Sequence, residues 1–143
     1  RVRSLFESPY DGRAKLWVVA RSLALRRQHP GLFAVGKYQG VAVKGARENH
    51  VVAFRRVREE DGVLVVAGRL FASLGLPAGA LPLGEPWGDT KVDASFLPSG
   101  TRVENVLTGE TLVVDGDALD VGALFREFPG ALLHFITPPS AER

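Results

Sequence analysis

The chain is 143 residues long, 45% hydrophobic and 24% charged, with a net charge of +2, the balance of an ordinary soluble globular domain. Folding should reduce an open-chain surface of roughly 22,000 Å² to roughly 7,000 Å², enough for one core and too little for two large domains. The chain has no cysteine, which excludes disulfides, thiolate metal sites and cysteine nucleophiles, and no apolar run nears the ~20 residues of a membrane span.

The pI of about 9.3 reflects weak buffering by three histidines above neutrality, not a clustered basic face, so nucleic acid is not an expected partner. The chain has no methionine and begins at Arg1. The opening residues are not expected to be a leader, since they show no charged region followed by an apolar core. The expectation is an excised piece of a longer protein.

In chain order, residues 1–10 form a lead-in broken by Pro9, and Asp11 is placed to cap a helix over 12–28. Leu16, Val19, Ala20 and Leu23 make one apolar stripe on it, and Ala14, Val18 and Leu25 a second. Two stripes call for two packing partners. His29-Pro30-Gly31 stops the helix. Strands follow: Val41 and Val43 alternate, then 50–57 and 63–69 flank Glu59-Glu60-Asp61-Gly62, whose Asp-Gly predicts a hairpin turn. The second of these runs is apolar on both faces, as in a central strand, and the three read as a meander. A long Pro/Gly-rich stretch covers 70–89, and strand-like runs resume at 90–96, 101–107 and 111–114. Asp120 is placed to cap a short helix over 121–128, 131–136 reads as a closing strand, and Pro138-Pro139 begins a tail. The expected fold is mainly β: one long N-terminal helix, then an antiparallel β-sandwich or barrel-like C-terminal domain with a short late helix.

The chemistry is sparse. Phe71-Ala72-Ser73-Leu74-Gly75 lacks the first glycine of a nucleophile elbow. His29, His50 and His134 are dispersed, without paired metal-ligand spacing, and read as structural. Asp115, Asp117 and Asp120 lack the frame of a calcium loop and suit turns and capping. Residues 75–84 have neither the lysine nor the strand–helix setting of a phosphate loop. Arg55 and Arg56 should point to opposite faces of a strand. Glu85, Trp87 and Asp89 are the candidate sugar contacts: an exposed indole could stack on a pyranose while carboxylates bind its hydroxyls. The plainer alternative has Trp87 pinning the loop, with Asp89 and Thr90 serving turn hydrogen bonds. No catalytic, cofactor or metal residue is assigned.

LWVVARSLALRRQHPGLFAVGKY (16–38) resembles the junction between the last barrel helix and the C-terminal β-domain of the α-amylase superfamily. DGRAKLW (11–17), HVVAFRR (50–56), GLPAGALPLGEPWGDT (75–90), NVLTGET (105–111) and ALFREFPGALL (123–133) together resemble malto-oligosyltrehalose synthases, over about residues 11–136. The resemblance implies a parent (β/α)₈-barrel isomerase, a (1→4)-α-D-glucan 1-α-D-glucosylmutase. Such an enzyme turns the reducing-end α-1,4 bond of a maltooligosaccharide into an α,α-1,1 linkage through a carboxylate nucleophile and a carboxylic acid/base. None of those motifs matches a position here, so no catalytic residue is carried over and no cofactor is implied. The expected organisation is a lead-in and last barrel helix over 1–30, a β-domain over 31–137 and a tail over 138–143. The expected partners are the missing catalytic barrel and maltooligosaccharides, and the expected compartment is the cytoplasm.

Overall fold

A computed structural model describes residues 13–76 and 82–137. Its elements are α1 (Arg13–Gln28), α2 (Pro30–Val35), β1 (Lys37–Gly40), β2 (Val43–Lys44), β3 (Val51–Arg58), β4 (Asp61–Gly68), β5 (Lys91–Asp93), β6 (Arg102–Asn105), β7 (Thr111–Val113), β8 (Ala118–Asp120), α3 (Val121–Leu124) and β9 (Gly130–Ile136). The fold is mainly β. A six-stranded sheet runs β1-β3-β4-β9-β6-β7 and a three-stranded sheet runs β2-β5-β8, with every registered pair antiparallel.

Side-chain alternation divides the core in two. On one face of the large sheet, Leu64, Val66, Leu133 and Phe135 meet Val92 and Leu119 of the small sheet. On the other face, Val63, Val106 and Leu132 meet Leu25 of α1 and Leu32 of α2. Strand β4 is apolar on both faces because it is covered on both. Each fully enclosed aliphatic side chain here contributes about 1.5–3 kcal/mol.

The hairpin turn lies two residues earlier than Asp61-Gly62. Arg58 pairs with Asp61, so Glu59-Glu60 makes the turn, with Glu59 at φ 55. Gly62 belongs to β4, paired with Val57 and Phe135, and the Phe135 ring fills the space that a Cβ there would need. Packing against an aromatic ring outcompetes the turn preference of Asp-Gly. The register then sends Asp61 to the helix-facing side of the sheet, with Val63.

Strands do not begin directly after Pro30. Proline interrupts α1, but its fixed φ suits a helix start, and it opens α2. Nor is the first β-run one strand of a meander. It divides between β1, paired with β3, and β2, paired with β5. The chain changes sheets at Val41-Ala42, where Val41 N–H donates to Ala53 O (3.0 Å) and Asp93 N–H donates to Ala42 O (2.9 Å). The late helix is shorter than 121–128: α3 ends at Leu124, with Asp120 Oδ2 accepting the Ala123 N–H at 3.1 Å as its cap. Strand β9 pairs with both β4 and β6, inside the sheet. The Asp11 cap, the lead-in over 1–10 and the tail over 138–143 lie outside the described residues.

Candidate functional site

Trp87 closes a 3-10 turn over Glu85–Trp87, bounded by Gly84 (φ 65) and Gly88 (φ 54), both at positive φ. Its side chain is 0% exposed. The indole N–H donates to Pro82 O at 2.7 Å, and the ring meets Phe125 edge-on, with centroids 5.0 Å apart. An enclosed indole offers no face on which a pyranose could stack. Glu85 and Asp89 lie at the surface, and Asp89 Oδ1 accepts the Ala46 N–H at 2.9 Å. Thr90 Oγ1 accepts the Arg47 N–H (3.0 Å), and Arg47 Nε donates to Pro86 O (3.3 Å). Trp87, Asp89 and Thr90 thus latch this loop to the core and to the 45–50 turn, the loop-pinning geometry.

Among the described residues, helix α1 is held on one side only. Trp17 and Val18 pack with Leu25 against the large sheet. Trp17 Nε1–H donates to Leu107 O (2.7 Å), and Arg21 Nε donates to Val106 O (2.9 Å). These bonds set the rotation of the helix. The opposite stripe faces outward: Leu16 is 68% exposed, Val19 45% and Leu23 48%, with Ala20 exposed between them.

Sequence spacing gave no reason to group His29, Asp61 and His134, yet the fold brings them together. His29 lies between α1 and α2, Asp61 opens β4, and His134 is on β9 beside Val63. His29 Nδ1 lies 2.9 Å from Asp61 Oδ2, and His134 Nε2 lies 2.6 Å from Asp61 Oδ1. The two rings lie against each other with centroids 4.2 Å apart and planes tilted by 35°. A period-2 reading with the corrected turn would put Asp61 and His134 on one face, but only the β4–β9 pairing makes them neighbours. His50 lies apart, with Nδ1 against Arg69 O.

Arg55 and Arg56 diverge as strand geometry requires. Arg55 bonds Gln39 Oε1 (2.9 Å) and lies over the Phe96 ring, whereas Arg56 donates to Phe33 O (2.8 Å) on the α2 side. Asp93 Oδ1 accepts the Ser95 N–H at 3.0 Å, and that backbone bond is the main reason its carboxyl titrates below the ordinary 3.8.

No family model matches the chain. Its fold recurs in an enzyme of the amylase class: the noncanonic maltogenic α-amylase AmyB from Thermotoga neapolitana superposes on 81% of this chain and 24% of its own, with a TM-score of 0.50 at 14% identity. A maltooligosyltrehalose synthase from Arthrobacter ramosus, solved as a single-substitution mutant, matches 94% of this chain and 16% of its own, with a TM-score of 0.63 and 30% identity. Relatives named "Putative maltooligosyl trehalose synthase" in two Mycobacterium tuberculosis strains, CDC 1551 / Oshkosh and ATCC 25618 / H37Rv, are each 40% identical over 119 residues. The chain is a homologue of the maltooligosyltrehalose synthases and corresponds to a C-terminal portion of them. That alignment takes in 83% of this chain but spans 13% of the length of the curated relatives.

Proposed function

We propose that this chain is the C-terminal β-sandwich of a maltooligosyltrehalose synthase together with its last barrel helix, and that it supports the catalytic barrel without catalysing the reaction itself. On this reading α1 is the hinge element. Its Trp17–Leu25 side is bonded to the β-domain, and its Leu16/Val19/Ala20/Leu23 side covers the barrel. That outward stripe is the observation that carries the reading. Leu16, Val19 and Leu23 line up on one helix face as an apolar stripe that a partner could cover, and the relatives are several times longer than this chain. The activity assigned to the whole protein is intramolecular transglucosylation in the cytoplasm, from the reducing-end α-1,4 linkage of a maltooligosaccharide to an α,α-1,1 linkage.

The test is a turnover assay on maltopentaose, following loss of reducing ends. The chain alone should give none. The separately expressed N-terminal remainder of the mycobacterial relative should gain activity when the chain is added. Turnover by the chain alone, or no gain on mixing, overturns the proposal.

A further inference from the structure

We propose that His29, Asp61 and His134 form a binding site for a borderline divalent cation such as Zn²⁺, independent of the role proposed above. Two imidazoles and one carboxylate are the donor set that suits Zn²⁺, Co²⁺, Ni²⁺ or Cu²⁺, whereas Mg²⁺ and Ca²⁺ prefer all-oxygen sites. The three donor atoms all lie within 4.8 Å of one another. They come from the α1–α2 junction, the first residue of β4 and the middle of β9, so tertiary structure assembles the set. Each ring turns one nitrogen to a different oxygen of the same carboxylate.

The two ring centroids lie 4.2 Å apart against one carboxylate. A single divalent ion can bind all three groups with both rings neutral, each keeping its proton on the other ring nitrogen. With metal–donor distances of about 2.0–2.2 Å, a tetrahedral site needs its donors roughly 3.4 Å apart. The His–Asp separations of 2.9 and 2.6 Å therefore open by somewhat under an ångström on loading, with all three donors starting within 4.8 Å of one another. The groups are shielded but reachable, with His29 23%, Asp61 30% and His134 12% exposed. A hollow of about 430 Å³ lined by Gln28, His29, Glu59, Glu60 and Asp61 opens beside them. It offers an entry path and room for water in the remaining coordination position.

The experiment is calorimetric titration of the chelator-treated chain with Zn²⁺. Visible ligand-field spectra with Co²⁺ and melting curves with and without Zn²⁺ accompany it. His29→Gln and His134→Gln each keep an N–H for Asp61 but lose the imidazole ligand, and His50→Gln alters the histidine outside the cluster. The expected result is one equivalent of Zn²⁺ bound, tetrahedral-type Co²⁺ bands and a melting point raised by a few degrees. Both cluster variants should bind more than roughly 100-fold more weakly, and His50→Gln should bind as the parent does. Three results overturn the proposal: no binding, equal binding by the cluster variants, or loss of binding in His50→Gln alone. Because neither sugar nor a second protein is present, failure here leaves the reading of α1 unaffected.

Discussion

Trp17 and Leu107 stand 90 positions apart in sequence and are joined by an indole N–H···O=C bond of 2.7 Å. That bond, with the Arg21 bond to Val106 O, turns α1 so that Leu25 enters the core and Leu16, Val19 and Leu23 face out. Trp17→Phe keeps most of the ring but leaves the Leu107 carbonyl without this donor. The expected cost is about 1–3 kcal/mol in chemical denaturation, with protection of α1 amides falling more than that of β4 or β9 in hydrogen exchange. Uniform loss of protection would mean that the bond does not serve α1 in particular.

Trp87 is expected to behave as a core residue. Trp87→Ala should destabilise the fold by about 3–5 kcal/mol. Trp87→Phe should cost less, since a ring remains against Phe125 although the bond to Pro82 O is lost. Tryptophan fluorescence of the parent chain should not change on titration with maltooligosaccharides at millimolar concentration. A saturable change that disappears in Trp87→Phe would instead assign a sugar contact to this loop.

Glu59 occupies the left-handed region at φ 55 in a two-residue turn. Glycine meets no Cβ penalty there, although it loses more freedom on folding. Glu59→Gly should therefore stabilise the chain by up to about 1 kcal/mol, read from the denaturation midpoint at unchanged slope.

Asp93 gives a pH signature of known sign. Its carboxyl is held below the ordinary 3.8, first by the Ser95 backbone N–H and then by the Ser95 side chain, with smaller help from Arg55 and Lys44. A depressed folded value makes its contribution full above the unfolded value, near pH 4, and lost as pH falls through the folded one. The group is well solvated, so the effect is small. Asp93→Asn should flatten the decline of stability below about pH 4, measured by denaturation at several pH values.

Much of the β-architecture was legible because local pattern and long-range packing agree. The doubly apolar run 63–69 became a strand covered on both faces, and Asp120 became a helix cap. The outward stripe of Leu16, Val19, Ala20 and Leu23 was legible because periodicity names a face before its neighbour is known, whereas the sheet-facing side is led by Trp17, which belonged to neither stripe, with Val18 and Leu25, and Ala14 lies outside the described side chains. The turn at Glu59-Glu60 was not, because the residue that pulls Gly62 into β4 is Phe135, on a strand whose pairing no local rule gives. The His29–Asp61–His134 cluster was hidden with it. A shift of two residues in the turn, and the insertion of β9 between β4 and β6, decide whether Asp61 meets His134. Trp87 was ambiguous in sequence since a loop tryptophan suits either a platform or an anchor, and Pro82 O and Phe125 settle its burial.

The most direct measurement is binding between this chain and the separately expressed N-terminal remainder of the mycobacterial relative, by sedimentation and calorimetry. The parent chain is compared with the Leu16→Glu, Val19→Glu, Leu23→Glu triple variant. The expected result is a 1:1 complex for the parent and binding weakened by roughly 100-fold or more for the variant, whose own melting should stay within about 1 kcal/mol of the parent because those side chains already face water. Equal binding by both chains, or a variant that loses its β-fold, would contradict a docking role for the outward stripe of α1.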